Sequence, residues 1–234
     1  MINPKSSSTN FLAWSLLIIL SIIWGSSFIL MKKGLVAFDP GEIAALRIFS
    51  ASLFLFPIAI QNLRQIKTRR QWAFLFASGF LGSLIPAFLF PLAQTRIDSA
   101  ITGVLNALTP FFTIMIGGIL VGAKFNNRIK LGIFIGFLGS IILVTAGSGY
   151  NFTQINYYAL FIVLATILYG LNVNILKYYL GDIRPVHITS FSMMLIGPFS
   201  IVYLLVYADV LQTLKSDLNN LIPLSYIIFL GVVG

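Results

Sequence analysis

The sequence contains no cysteine, and only one histidine (His187) and one glutamate (Glu42) among 234 residues. Without cysteine there is no disulfide, no thiolate nucleophile and no Cys-ligated metal. With one histidine and six acidic residues in all, little is left for metal ligation or acid–base catalysis, and no cofactor or metal is expected. Charge itself is scarce: 9% of residues are Asp, Glu, Lys or Arg, against about a quarter in a soluble domain. Apolar residues take up the difference at 58%, and a mean hydropathy of +0.96 places the chain in a lipid bilayer. The net charge of +9 does not argue for nucleic acid, because the basic residues are scattered between apolar segments rather than gathered on one domain.

Crossing a hydrocarbon core takes about 20 apolar residues in a helix. Seven segments qualify: 11–31, 41–61, 72–94, 99–121, 129–147, 156–176 and 186–207. An eighth begins near Leu221 and reaches Gly234, too short to cross comfortably, so the chain reads as stopping inside an element. The first segment follows Lys5, as a signal peptide would. It is too long for a signal core, lacks a small-residue cleavage site, and has seven apolar segments after it, so it reads as an uncleaved helix.

Basic residues set the orientation. Lys5, Arg64, Lys67, Arg69, Arg70, Lys124, Arg128, Lys130, Lys177 and Arg184 fall on one side; Lys32, Lys33, Arg96 and Lys215 fall on the other, with Arg47 inside a span. The positive-inside rule then puts the N-terminus in the cytoplasm, with the protein in the cytoplasmic (inner) cell membrane.

The chain also resembles itself. Leu12–Ser50 realigns on Tyr157–Leu195 at a constant offset of 145, bringing Gly25 onto Gly170, Lys32 onto Lys177, Pro40 onto Pro185, and Trp24 opposite Tyr169. Six of the 39 positions are identical, and the scarce Gly, Lys and Pro keep their spacing. A further match, after a seven-residue insertion, sets Gly79 on Gly231 and Gly82 on Gly234. Span 6 comes five places after span 1, an odd step, so the two cross in opposite directions. The duplication is therefore inverted, a usual build of secondary transporters.

These residues resemble the drug/metabolite transporter superfamily, EamA type. The resemblance rests on Trp24-Gly25-Ser26-Ser27-Phe28 with Lys32, on Pro40 to Arg47, on Leu108-Thr109-Pro110-Phe111-Phe112, and on Gly132, Gly136 and Gly139. It departs at Ala123, where the family usually has a glutamate near the end of its fourth helix. It implies an all-α polytopic membrane protein, an inverted five-plus-five helix repeat bundle of which about seven and a half of ten helices are present. The parts would be a cytoplasmic tail over 1–10, a first repeat over 11–147, an external loop over 148–155, and an incomplete second repeat over 156–234. The activity implied is secondary transport of a small metabolite, with export of amino acids or related compounds.

Few residues could carry that chemistry. Arg47 lies within span 2, where an arginine must pair or face a wet interior; it could recognise an anionic substrate group, pair with Glu42 or a carbonyl, or snorkel outward. Trp24 and Ser27 in span 1, Asn106 in span 4, and Tyr169 and Asn172 in span 6 fall in or near the central zone and, with Arg47, outline a candidate substrate cavity. Each polar member could equally be an ordinary interhelical tie. Glu42 and His187 occupy equivalent positions of the two halves and are candidates for proton coupling; the alternative is an interfacial first turn, where Glu42 suits a helix N-terminus. Pro110 should kink span 4, and Pro57, Pro86, Pro91 and Pro198 could hinge theirs. Gly132, Gly136 and Gly139 in span 5, and Gly79 with Gly82 in span 3, read as close helix packing, with homodimerisation as the second reading. Two other functions compete with a carrier. A lipid-modifying membrane enzyme would need clustered carboxylates, histidines or a metal, and the six acids are dispersed; a non-transporting membrane fragment or sensor is the third.

Overall fold

The computed structural model describes residues 5–122, 126–147 and 157–234. Ala123, Lys124 and the expected external loop 148–155 lie outside the described residues. Among the described residues the elements are helical throughout, with no strand. Six helices are long and apolar enough to cross a membrane: Phe11–Gly34, Pro40–Gln65, Arg69–Gln94, Ser99–Leu120, Tyr158–Tyr179 and Pro185–Val206. The chain is an all-α polytopic membrane protein. A further helix, Asn127–Gly147, stands at the place of the expected fifth span, and a short apolar one, Leu218–Val233, at the place of the eighth.

Local chemistry explains where these helices begin and bend. Helix α1 (Lys5–Gly34) starts six residues ahead of its expected span, because hydropathy detects only the apolar part of a helix. Helix α2 (Pro40–Asn62) has Pro40 at its first turn, where a missing N–H costs nothing, and Glu42 follows at the positive end of the helix dipole. Helix α3 (Arg69–Gly79) is capped by Thr68, whose Oγ1 accepts the Gln71 N–H at 3.1 Å, while Gln71 Oε1 accepts the Thr68 N–H.

The third span is not one regular helix. A π turn over Phe80–Leu84 separates α3 from α4 (Ile85–Gln94). Pro86 supplies no N–H to that turn, and the Ile85 N–H reaches back to the Phe80 carbonyl. The fourth span breaks as expected into α5 (Ser99–Asn106) and α6 (Thr109–Val121), with Pro110 in the first turn of α6. Helix α7 (Asn127–Gly147) follows, then α8 (Tyr158–Tyr179), α9 (Pro185–Val206), the short α10 (Val210–Ser216) and α11 (Leu221–Val233). Pro57, Pro91 and Pro198 are absorbed inside continuous helices.

Helices α2 and α9 form the most extensive pair; α11 and α4 pack on α2, α3 packs on α9, and α8 packs on α4 and α6. Apolar side chains fill three zones. One, including Met31, Phe38, Ile43, Phe90 and Ile227, lies where α1 ends and α2 begins. Another, including Ile66, Leu75, Leu180, Ile188 and Phe191, lies at the opposite end. Between them sits a smaller group of Ala44, Ile48, Leu84, Ala87 and Ile196.

Glycine lets these helices touch backbone to backbone. A Cβ at Gly79 would lie 2.9 Å from the Ser192 carbonyl oxygen, and one at Gly231 would lie 2.6 Å from the Arg47 carbonyl oxygen. At Gly170 a Cβ would meet the α6 backbone at Phe112 and Thr113, 2.9 Å away. The glycines of α7 behave otherwise: a Cβ at Gly132, Gly136 or Gly139 meets nothing within 4 Å, so the expected close packing is found at Gly79 and Gly82, and also at Gly170 and Gly231, but not at these three.

Valine at Gly79 or Gly231 is expected to destabilise the purified protein by about 1–3 kcal/mol through overpacking, read as a lower melting temperature in detergent. Valine at Gly132 should leave that temperature nearly unchanged.

Candidate functional site

Beside the central apolar group is a cavity of about 130 Å³ lined by Arg47, Ile48 and Ala51 of α2, Gly82 and Ser83 of the π turn, Ala87 of α4, Tyr169 of α8, Met193 of α9, and Leu230, Gly231 and Gly234 at the end of α11. Five helices and the π turn therefore converge on it. Polar ties hold α2, α8 and α9 among them in place. Ser52 Oγ donates to the Met193 carbonyl at 2.8 Å and Ser192 Oγ to the Leu75 carbonyl at 2.9 Å. Asn174 Nδ2 donates to the Thr113 and Gly170 carbonyls, fixing α8 on α6.

Arg47 is not satisfied in this way. Its Nε is buried with no hydrogen-bond partner. Glu42, the nearest acid in sequence, is otherwise engaged: Oε2 accepts the Asp39 N–H at 3.0 Å and Oε1 accepts the Asp209 N–H at 2.8 Å. Glu42 thus ties the start of α2 to the start of α10, and the guanidinium is left facing the cavity. An unpaired charge in this position costs several kcal/mol unless a ligand or water answers it.

The other residues singled out from sequence divide. Tyr169 joins Arg47 on the cavity wall, and its ring stacks on Phe90 of α4 at 5.9 Å and 24°. Asn172 stands behind Gly82: a Cβ at that glycine would collide with the Asn172 amide, and Asn172 Oδ1 is buried without a partner. Ser27 is buried, donates to the Ile23 carbonyl at 2.7 Å, and faces Gly234 at the cavity's rim. Asn106 Oδ1 is also buried and unpartnered, but Asn106 is not part of the cavity wall. Trp24 is not brought to the site; it is 59% exposed on the outside of α1, because hydropathy says nothing about which face of an apolar helix turns inward. His187 is buried in the first turn of α9, its Nδ1 2.6 Å from Gln65 Oε1, at the end of the bundle opposite Glu42.

Sequence reasoning missed Gly82, Ser83, Met193 and Leu230 as lining residues. The pair Gly79 and Gly82, together with Pro86, was the available signal for an irregular turn.

Residues 12–145 match the model of the EamA-like transporter family. The chain belongs to the EamA-like transporter family. A relative of this EamA-like chain is the "Uncharacterized transporter YoaV" of Bacillus subtilis (strain 168), 23% identical over 211 residues, covering 86% of this chain and 68% of that protein. A crystal structure shares the fold with a TM-score of 0.54 at 14% identity, covering 90% of this chain and 78% of the other. The EamA-like chain is accordingly a membrane transporter of the drug/metabolite kind.

Glu42→Ala should remove the acceptor of two part-buried backbone amides and destabilise the protein by about 1–3 kcal/mol. Thermal unfolding in detergent, followed by circular dichroism, should show Glu42→Gln recovering part of the loss, since it keeps one acceptor oxygen.

Proposed function

We propose that this chain moves a small amphipathic metabolite bearing an anionic group across the cytoplasmic membrane, in the direction of export, by alternating access between two inverted repeats. Amino acids and related zwitterions are the compounds that fit best. The observation that carries this reading is the unanswered Arg47 on the cavity wall. Its guanidinium presents paired donors to a carboxylate. Asn172 Oδ1, buried without a partner behind Gly82, is an acceptor for an ammonium or hydroxyl. Ala87, Met193 and Leu230 offer apolar wall to the remainder of the solute.

Three sets of contacts support an inverted duplication. Gly79 abuts Ser192 as Gly231 abuts Arg47, and Ser192 stands 145 residues after Arg47. Gly82 abuts Asn172 as Gly234 abuts Ser27, again 145 apart. A Cβ at Gly197 would lie 2.8 Å from Ser52 Oγ, and these two positions are themselves offset by 145. Corresponding residues of the two halves thus meet each other at the α2–α9 contact, as on a two-fold axis. A site beside that axis is where rocking halves would alternately expose a solute.

Glu42 and His187 fit this scheme as equivalent struts. Each sits in the first turn of its helix, and each bonds the segment that follows the other helix of the central pair. The π turn at Phe80–Leu84, against the cavity, gives the third span a place to flex. The distribution of basic residues supports an N-terminus in the cytoplasm.

Proteoliposomes loaded with a panel of radiolabelled amino acids and small carboxylates test the reading. Arg47→Leu should cut flux at least tenfold while leaving thermal stability equal or higher, because it removes an unpaired buried charge; Asn172→Leu should shift which solutes pass. Equal flux from Arg47→Leu and the parent would overturn it.

A further inference from the structure

Six basic side chains crowd the end of the bundle where α2 gives way to α3 and α8 to α9: Arg64, Lys67, Arg69, Arg70, Lys177 and Arg184. Asp182 is the single acid in those connections, and among the described residues no ion pair joins it to any of them. Topology accounts for cations at this end in general, but not for how these are arranged. Arg69 and Arg70 occupy the first turn of α3, with no acidic residue beside them. That is the wrong sign for the positive end of a helix dipole, and an anion would relieve it.

Arg70 is held rather than free. Its guanidinium lies 5.5 Å from the centre of the Phe74 ring and 5.6 Å from that of Tyr179. Those two rings stack on each other at 4.2 Å and 15°. Next to them is a pocket of about 230 Å³ lined by Thr68, Arg70, Gln71, Phe74, Tyr178 and Tyr179. Lys177, over the Tyr178 ring at 5.1 Å, adds a second cation. The pocket opens between the start of one spanning helix, Arg69–Gln94, and the end of another, Tyr158–Tyr179, which is the depth of lipid headgroups.

We propose that this pocket binds the phosphate of an anionic phospholipid. Arg70 supplies the planar, paired donors and the first turn of α3 the positive field; basic pockets between transmembrane helices suit acidic headgroups. The acyl chains follow the apolar wall below, where Phe76 of α3 and Val173 of α8 are exposed. That wall commits the site to a lipid, since a soluble phosphate has no use for it.

Trp72 of α3 stands one helical turn after Thr68 of the pocket wall, within reach of bromine on a lipid held there. In a Trp14→Phe/Trp24→Phe background it is the sole tryptophan. The full chain is placed in nanodiscs of phosphatidylcholine with a minor share of phosphatidylglycerol, with brominated acyl chains on one lipid or the other. Phosphatidylglycerol is expected to quench Trp72 several-fold beyond its share of the bilayer. Arg70→Gln should return quenching to that share, and Tyr179→Leu should weaken it with the charge intact. Arg64→Gln, on the same end but outside the pocket, should keep the enrichment, and dissolved glycerol phosphate should not displace the lipid. Quenching in proportion to composition in the parent would overturn the proposal. So would enrichment that survives Arg70→Gln and Tyr179→Leu or falls equally with Arg64→Gln. Displacement by glycerol phosphate would overturn the lipid in favour of a soluble phosphate.

Discussion

The bundle depends on the contact between α2 and α9. In a bilayer there is no hydrophobic force to bring two apolar helices together, so close backbone approach and interhelical hydrogen bonds must do so. At this contact Gly197 leaves room for Ser52, whose hydroxyl donates to the Met193 carbonyl. Once α2 and α9 are fixed, α11 docks on the first through Gly231 and α3 on the second through Gly79. Helix α8 then packs on α4 and α6, with Gly170 setting its distance from α6.

Function follows from where this arrangement leaves polar groups unanswered. Most hydroxyls of the spans return to a carbonyl, either on their own helix, as Ser27 does, or on a neighbour, as Ser52 and Ser192 do. Arg47 and Ser192, 145 residues apart in sequence, each set their carbonyl against a glycine. Ser192 is small and satisfied; Arg47 is long, charged and not. That asymmetry, next to a cavity, marks the site more clearly than any motif does. Because Glu42 spends both oxygens on backbone amides, it cannot neutralise Arg47 without undoing the start of two helices.

Much of this was legible in the sequence, for reasons that can be named. Apolar length located the spans, and Pro110 located the break in the fourth, since both effects are local. Arg47 stood out because the bilayer makes a charge costly wherever it lies. What escaped was rotation and long-range partnership. Trp24 and Tyr169 occupy matching positions with similar neighbours, yet one faces out and the other lines the cavity; composition does not encode which. The bond between Glu42 and Asp209 joins residues 167 apart, beyond any local pattern. The glycines of α7 have the spacing of a packing face, while the glycines that matter for contact are set by partners on distant helices.

The central claim is that two halves of opposite orientation meet at α2 and α9. The absence of native cysteine makes a direct test available. Cysteines at Val36, exposed in the α1–α2 connection, and at Gly181, at the matching place after α8, can be labelled in intact cells with a membrane-impermeant maleimide. The account predicts that Val36→Cys reacts from outside, while Gly181→Cys reacts only after the membrane is permeabilised. Labelling of both from the same side would contradict it.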